Sequence, residues 1–429
     1  MKQVLINQLN LSLAAFSPMP VGTLPGQRGS RESFESTPHE ADPTASSINE
    51  EAPFTFGWHD TIDDLSTTDW DACFSSERFS QTHSYQQAVE ASGPRGVRFQ
   101  YLMVYQGGSL LGIVGCFRYR VPLSTLSTGA LRKVMSGIER FLPNLFSISG
   151  FFVGQLTAVC DHLYGLKQIP TPERSAFLRH CDAAITARAR VLGAAVIIHK
   201  EVPQEDLSMV TSALGDSYLY VPSLPAMELS LESDAPFQQQ LRKKYRNHYR
   251  RRQTLAQERG LTWDVHRGPI DSDLSEEMEA LYLQVFERSG TQFERLSASF
   301  FSSILKSCPG SSLVLCKDGE RLVGFMLNVE AKDAFHGLYL GYDVSYRDAA
   351  VYFNLIYQSI EVAQAKGYQT IHLGQSSYEI KSALGAKRSD LHLALRASNP
   401  LVHAMLQCFQ NDLFPEIDVP VRRAFPLNR

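Results

Sequence analysis

Two stretches of this 429-residue chain repeat one order of elements: an apolar strand, a glycine turn, a second strand, and later a helix closed by glycine and followed by another strand. In the first stretch Tyr101 to Val104 leads into Gly107-Gly108 and then Leu110 to Phe117. In the second, Leu313 to Leu315 leads into Asp318-Gly319 and then Leu322 to Leu327. The later helices end at Gly193 and Gly367 and are followed by Ala194 to His199 and by Tyr368 to Leu373. Strands alternating with helical segments imply an α/β or α+β fold, a mixed sheet flanked by helices. The repetition implies two such domains in tandem. Pockets concentrate where domains meet, so function is expected at their junction.

The copies differ in length. Gly112 to Gly193 spans 81 residues where Gly324 to Gly367 spans 43, an excess of 38 in the first copy. The excess falls between Val121 and Gly165, where Leu131 to Phe146 alternates apolar and basic residues at helical spacing. A helix packed over the first sheet is expected there, with a substrate entrance or a membrane-surface contact as the alternative. From about Ser17 to Pro53 the chain is rich in Pro, Ser, Thr, Gly and Glu, a composition that cannot bury enough apolar surface to fold alone. The expected organisation is a disordered leader over 1–53, a first domain over 54–232 with a helical insertion near 121–165, and a second domain over 233–429. Met227 to Leu231 reads as the last strand of the first domain. Gln238 to Arg259 reads as a helix opening the second, stopped by Gly260. A further helix is expected from about Asp348 to Lys366, with Tyr352, Ile356, Ile360 and Ala363 along one face.

Composition narrows the class. With 44% hydrophobic and 20% charged residues and a net charge of -4, the chain has the makeup of a soluble globular protein without global affinity for polyanions. Its seven cysteines show no zinc spacing and read as reduced core thiols. Asn7, Gln8 and Asn10 interrupt the apolar N-terminal run, and no uncharged apolar run reaches about 18 residues, so a cytoplasmic protein is expected. The absence of GxSxG, HExxH, a Walker loop and GxGxxG disfavours serine hydrolases, zinc proteases, nucleotide hydrolases and dinucleotide-linked dehydrogenases. What remains is a polar cluster at the strand ends of the second copy. It comprises Tyr339, Tyr342, Asp343, Tyr346 and Arg347, then Gln375, Tyr378, Glu379 and Lys381.

The run Gly337 to Asp343, then Tyr352-Phe353 opening a helix, Gly367, and Gly374-x-x-x-Tyr378-Glu379-x-Lys381-x-x-x-Gly385 resembles the C-terminal half of bacterial GNAT-superfamily acyltransferases. It is similar to the Fem-like and CelD-like group with two tandem GNAT-type domains. The arginine-rich Leu241 to Arg252 and the segment Ala88 to Gly93 match that group at the start of its second and first domains. The likeness runs from about Phe54 to Phe409.

The resemblance implies transfer of an acyl group from a thioester, or of an aminoacyl group from a charged RNA, to an amine. Such a transfer needs a proton acceptor for the amine and hydrogen-bond donors for the oxyanion. Asp343 or Glu379 is the candidate base and Tyr342 or Tyr378 the candidate donor. Lys381, Gln375, His336 and Tyr339 are candidate substrate contacts, and Arg347, Tyr346, Ala349 and Ala350 candidate contacts to the donor. Against these stand plain readings: Lys381 as a surface lysine, Asp343 as a turn residue bonding its own backbone, the tyrosines as structural, and His336 and His372 as satisfied strand histidines. No metal is implied. Phe293, Phe300 and Phe301 are candidates for the acceptor pocket.

Relatives that use coenzyme A carry glycines in the turn before the central helix, where backbone amides approach the pyrophosphate. Here the turn is Tyr346-Arg347-Asp348-Ala349-Ala350, and Asp348, a good N-cap, would compete with a phosphate. In the first copy Thr171-Pro172-Glu173 offers no such loop either. Both turns count against coenzyme A, while Arg347 offers a phosphate contact; the donor expected is an acyl-CoA or an acyl carrier protein, with an aminoacyl-tRNA bound through Arg242 to Arg252 as the alternative. The acceptor is a small-molecule or peptide amine, including a cell-wall precursor. A catalytically silent GNAT-like binding module is a third reading.

Overall fold

A computed structural model describes residues 53–122, 147–159, 162–231, 235–289, 295–332 and 334–426, which lie within one compact unit. The expected leader, apart from Pro53, and the expected helix over Leu131 to Phe146 lie outside the described residues, as does Phe293.

The first sheet is built from β1 (Phe54–His59), β2 (Arg98–Gln106), β3 (Ser109–Pro122), β4 (Ser147–Val153), β6 (Val196–Pro203) and β7 (Leu219–Pro222), with the two-residue β5 (Tyr164–Gly165) pairing β3. The second contains β8 (Ala226–Ser230), β9 (Leu261–Arg267), β10 (Ser311–Asp318), β11 (Arg321–Glu330), β12 (Phe335–Tyr342), β13 (Thr370–His372) and β14 (Lys387–Ser389). The last strand, β15 (Leu391–Ala397), belongs to the first sheet. The orders are β1-β2-β3-β4-β6-β15-β7 and β9-β10-β11-β12-β13-β8-β14, which correspond position by position. In each, only the fourth and fifth strands run parallel, β4 with β6 and β12 with β13. The duplication read from the glycine turns is thus a duplication of topology.

One strand assignment is corrected. Met227 to Leu229 does not close the first sheet; it pairs antiparallel with both β13 and β14 of the second. Reciprocally, β15 from the second half runs between β6 and β7. Each half therefore fills the sixth position of the other's sheet. Met227, Leu229 and Leu231 are buried in the same core as Ile356 and Ile360 of the helix over that sheet, so the exchanged strand is anchored by apolar burial as well as by its ladders.

The helices are α1 (Thr67–Cys73), α2 (His83–Ala91), α3 (Arg174–Val191), α4 (Leu207–Leu214), α5 (Phe237–Gln240), α6 (Lys243–Glu258), α7 (Ser272–Phe286), α8 (Ala298–Ser307), α9 (Val351–Ala365), α10 (Tyr378–Ala383), α11 (Pro400–Cys408) and α12 (Gln410–Leu413). The single helix expected over 238–259 is two, because Leu241 is extended at φ -72 and ψ 144 and buried. Gly260, Gly193 and Gly367 do follow helices, at φ 75, 65 and 79, a region that glycine enters without a Cβ clash.

A continuous apolar core joins the halves. Phe79, Tyr85, Val89, Phe117 and Phe152 from the first half pack with Met278, Leu281, Phe300 and Phe301 from α7 and α8. Phe300 and Phe301, expected to line an acceptor pocket, are buried in this core instead. The helix α7 lies so close to β12 that a Cβ on Gly341 would sit 2.5 Å from the Tyr282 amide nitrogen and 2.7 Å from the Leu281 carbonyl carbon. Backbone atoms cannot rotate away as a side chain can. Gly341→Ala is expected to cost about 3 kcal/mol, the upper end for overpacking, read as a lowered midpoint in denaturant unfolding. A cost under about 0.5 kcal/mol would contradict this packing.

Five of the six described cysteines are buried and only Cys408 is exposed. Burial pushes the Cys308 and Cys316 thiols up to about 12, which leaves them protonated. No helix among the described residues is long and apolar enough to cross a membrane.

Candidate functional site

In the second sheet the parallel ladder between β12 and β13 holds two pairs, Phe335–Ile371 and His336–His372, and then ends. After His372 the chain turns to β8: the Leu373 amide donates to the Met227 carbonyl and the Met227 amide to the Gly374 carbonyl, at 2.9 and 3.1 Å. The strand β12 continues to Tyr342 beside β11. Two strands that begin side by side thus part, leaving a wedge between residues 338–342 and the segment 374–377. At the same point the register of β12 slips, with Leu327 opposite Tyr339 and Asn328 opposite Gly337, so that Leu338 is an extra residue. A bulge of this kind takes one peptide out of the ladder and re-aims its neighbours, and bulges collect beside active sites.

At the far end of β12 the chain turns into α9. The N-cap of α9 is Ala350, not Asp348, and it lies in the left-handed region at φ 57 and ψ 31. The turn without glycine therefore takes a conformation in which glycine is usually found, at a cost in strain that such residues accept mainly near functional sites. Asp348 accepts from the Ala349 amide at 3.0 Å, and the Ala350 amide is taken by the Arg347 carbonyl at 3.2 Å. Beyond them lies the first turn of a 15-residue helix, whose end carries the positive pole of its dipole. Arg347 is exposed beside it.

The opposite wall is strained as well. Ser376 and Ser377 sit at φ 65 and 50. Lys381 secures this segment from below: its ammonium donates to the Gly374 and Gln375 carbonyls at 3.2 and 2.6 Å. It is a buried lysine, not a surface one, and burial lowers its pKa to about 7. Two of its three donors are spent on the backbone, so its geometry is that of a loop anchor. Gln375 reaches into the first half, donating to the Leu224 carbonyl at 2.7 Å and approaching the Glu201 carboxylate at 3.4 Å.

The other sequence candidates divide. Asp343 caps the turn after β12, accepting from the amide and hydroxyl of Ser345 at 3.0 and 2.7 Å and pairing with Arg321 at 2.6 Å. Partial burial pushes its carboxyl up, but Ser345 and Arg321 outweigh it and hold it below the usual range. It is a turn residue committed to its own partners. Glu379 pairs with Arg422 at 2.7 Å on the surface. The Tyr378 hydroxyl donates to the Pro225 carbonyl at 3.1 Å, Tyr339 to the Thr157 carbonyl at 2.7 Å, and Tyr346 to Asp318 at 2.7 Å. The first two tie the halves together. Tyr342 packs edge-on against Tyr352 of α9, 5.9 Å between centroids, on the wall of the wedge.

Four side chains escaped the sequence reading or were undervalued by it. His372 and His336, the last parallel pair, stack at 4.7 Å and 12°. Glu228, opposite His372 on the exchanged β8, places Oε1 3.5 Å from its Nδ1. Glu201 sits in a second bulge, where Lys200 and Glu201 face the one residue Leu393. It is buried at φ 54 and paired with Lys200 at 2.9 Å.

Among the described residues the first sheet differs at the matching place. Its parallel ladder runs on to Val153–His199, and the Tyr164 hydroxyl meets His199 Nδ1 there at 2.6 Å. Residues 155–158 and 162–166 are buried, so the chain's own segment occupies the position of the wedge. Burial and Arg396 lower His199 to about 3, which keeps it neutral.

Comparison with known proteins places this geometry. Residues 243–382 match the family model described as the acetyltransferase (GNAT) domain. The crystal structure of FemX superposes with a TM-score of 0.50 at 12% identity, over 80% of this chain and 98% of that one. L-PGS from Bacillus licheniformis gives 0.46 at 12% identity over 77% and 92%. A tandem GNAT protein from the clavulanic acid biosynthesis pathway gives 0.48 at 11% over 81% and 99%. No curated protein sequence matches the chain. Residues 243–382 thus form a GNAT-type domain, and the chain as a whole is similar in fold to FemX.

Proposed function

We infer that the second half transfers an acyl group from a coenzyme A thioester to an amine. The reading rests on the parting of β12 and β13 after His336–His372, inside the segment that matches the GNAT family model. A thioester arm laid in that wedge would meet peptide groups of β12 that have no partner strand on that side, and its pyrophosphate would face the N-terminal turn of α9. Arg347 adds a cation at that mouth. Ala350, in the left-handed region, answers the objection that the turn lacks glycine. The first half, with its own wedge filled, builds the opposite wall through Glu201, Leu224 and Pro225.

The test is release of free thiol from acetyl-CoA and longer acyl-CoAs in the presence of benzylamine, cadaverine, N-acetyl-lysine and glucosamine. Arg347→Glu is expected to raise KM for the acyl-CoA at least tenfold with kcat little changed, since an exposed charge reversal leaves the fold intact. No thiol release with any pair would sink the reading.

One observation favours a second donor. Arg242, which precedes α6, and Lys243, Lys244, Arg250 and Arg251 on it are exposed, and residues 242–252 contain no acidic side chain. A charged RNA bound there would give transfer that is ribonuclease-sensitive and falls steeply with salt.

A further inference from the structure

We propose that Glu201, which the first half contributes to the opposite wall, binds a cationic group of the acceptor that does not itself react, so that the acceptor is a diamine or another amine with a second positive charge. The proposal rests on the transfer reading above and names the class of acceptor which that reading leaves open.

Backbone strain marks the place. Among the described residues, four that are not glycine have positive φ: Glu201, Ala350, Ser376 and Ser377, at 54, 57, 65 and 50°. Ala350 opens α9 at the mouth of the wedge, and Ser376 and Ser377 belong to its wall. Glu201 is the fourth, and the Gln375 side chain joins it to that wall. Such conformations are costly and persist chiefly at ligand clamps and active sites. The bulge that sets Lys200 and Glu201 against the one residue Leu393 also takes the glutamate out of the regular alternation of β6.

The carboxylate is only half used. Its side chain is 6% accessible, and Oε1 accepts from Lys200 Nζ at 2.9 Å and from Gln375 Nε2 at 3.4 Å. Oε2 has no hydrogen-bond partner. A carboxylate offers about four acceptor sites, and a buried one left short of donors costs free energy. The Leu224 carbonyl takes the same Gln375 nitrogen at 2.7 Å. A carboxylate and a carbonyl thus converge on one donor nitrogen, which here belongs to a neutral amide. With Gln375 in this position Oε2 is enclosed, but Gln375 itself is half-buried and Ser376 beside it is exposed, so a ligand reaches the pair by displacing that amide outward. An ammonium in its place brings three donors to the Leu224 carbonyl and the two carboxylate oxygens.

Charge favours a cation over a neutral donor. An ammonium on Oε2 lies nearer the carboxylate than Lys200, which is bonded through Oε1, so attraction exceeds repulsion. Hydrogen bonds assisted by charge are also about twice as strong as neutral ones. A carboxylate alongside raises the pKa of an ammonium, so a nitrogen held there keeps its proton and has no lone pair with which to attack a thioester. The nitrogen that reacts is therefore a different one on the same molecule, extended toward the wedge between residues 338–342 and 374–377.

Three acceptors of one chain length separate the readings. Cadaverine carries a second ammonium, 5-aminopentanol a hydroxyl in its place, and pentylamine neither. Transfer from acetyl-CoA is measured with each, alongside calorimetric affinity for acetyl-CoA. The kcat/KM for cadaverine is expected to exceed that for the other two at least about tenfold. In Glu201→Gln that ratio is expected to fall below about threefold while acetyl-CoA affinity is retained, whereas a merely structural glutamate would leave the ratio in place. Equal use of cadaverine and 5-aminopentanol, equal use of all three, or a preference that survives Glu201→Gln would overturn the assignment. Should the variant lack a cooperative unfolding transition, the three acceptors compared on the unmodified enzyme still decide. An enzyme that acylates benzylamine or glucosamine but not cadaverine also counts against Glu201, while one that acylates no amine overturns the transfer reading, and this proposal with it.

Discussion

A chain beginning at Ala235 is expected not to fold, although it contains the whole of the segment that matches the GNAT family. Without β8, the strands β13 and β14 lose the only partner each has on that side. Met227, Leu229 and Leu231 also leave the core, which forgoes roughly 5–9 kcal/mol at about 1.5–3 kcal/mol for each buried side chain. That is comparable with the whole net stability of a typical domain, about 5–15 kcal/mol. The piece ending at Leu231 fares no better, since β6 and β7 are both left facing the gap of β15. Neither fragment alone should show a cooperative unfolding transition, and the two expressed together should recover one. A cooperative transition from the 235–429 fragment alone would contradict the exchange.

Lys381→Met is expected to change how stability depends on pH. Burial lowers the Lys381 pKa from 10.5 to about 7 in the folded protein, while the unfolded chain keeps the higher value. Between those limits the unfolded chain binds one more proton, so the lysine's contribution to stability rises with pH across that window. It is least favourable below pH 7, where a buried cation must be kept charged. The slope is about 1.4 kcal/mol per pH unit once past the folded pKa. The stability of the unmodified protein relative to Lys381→Met should therefore grow by roughly 2 kcal/mol from pH 7 to pH 9. Methionine fills similar volume but leaves the Gly374 and Gln375 carbonyls unpaired, so the variant should also be the less stable at pH 9. Parallel stability profiles, from urea unfolding at pH 6, 7, 8 and 9, would show that this ammonium is not desolvated as described.

Much of the fold was legible because its signals are local. Glycine turns, helix stops and apolar strands recur at matching places, and the two sheets repeat one another accordingly. The exchange was not legible. Alternation at Met227, Leu229 and Leu231 tells which side chains are buried, but not which of two like sheets offers the open edge. The candidate site was legible in part for the same reason. Asp343 sits at the end of a strand as a catalytic carboxylate might, yet the hairpin between β11 and β12 brings Arg321 onto it, and Ser345 is only two residues away. Lys381 has the spacing of a cleft cation, but the helix α10 turns it inward beneath its own loop. Ala350 carries no mark in the sequence of the backbone shape it adopts. Glu228 and His372 meet only because a strand crosses between the sheets, which no spacing along the chain could announce.

On the proposed function the second half, and not the first, holds the thioester in its strand wedge. Amide hydrogen exchange with and without acetyl-CoA tests it directly, because opening free energies are read segment by segment. Added protection is expected in 337–342, in 350–353 and in 374–377, with the first-half counterpart, 150–166 and 196–203, unchanged. Protection confined to that first-half region, or none anywhere at saturating acetyl-CoA, would contradict the account.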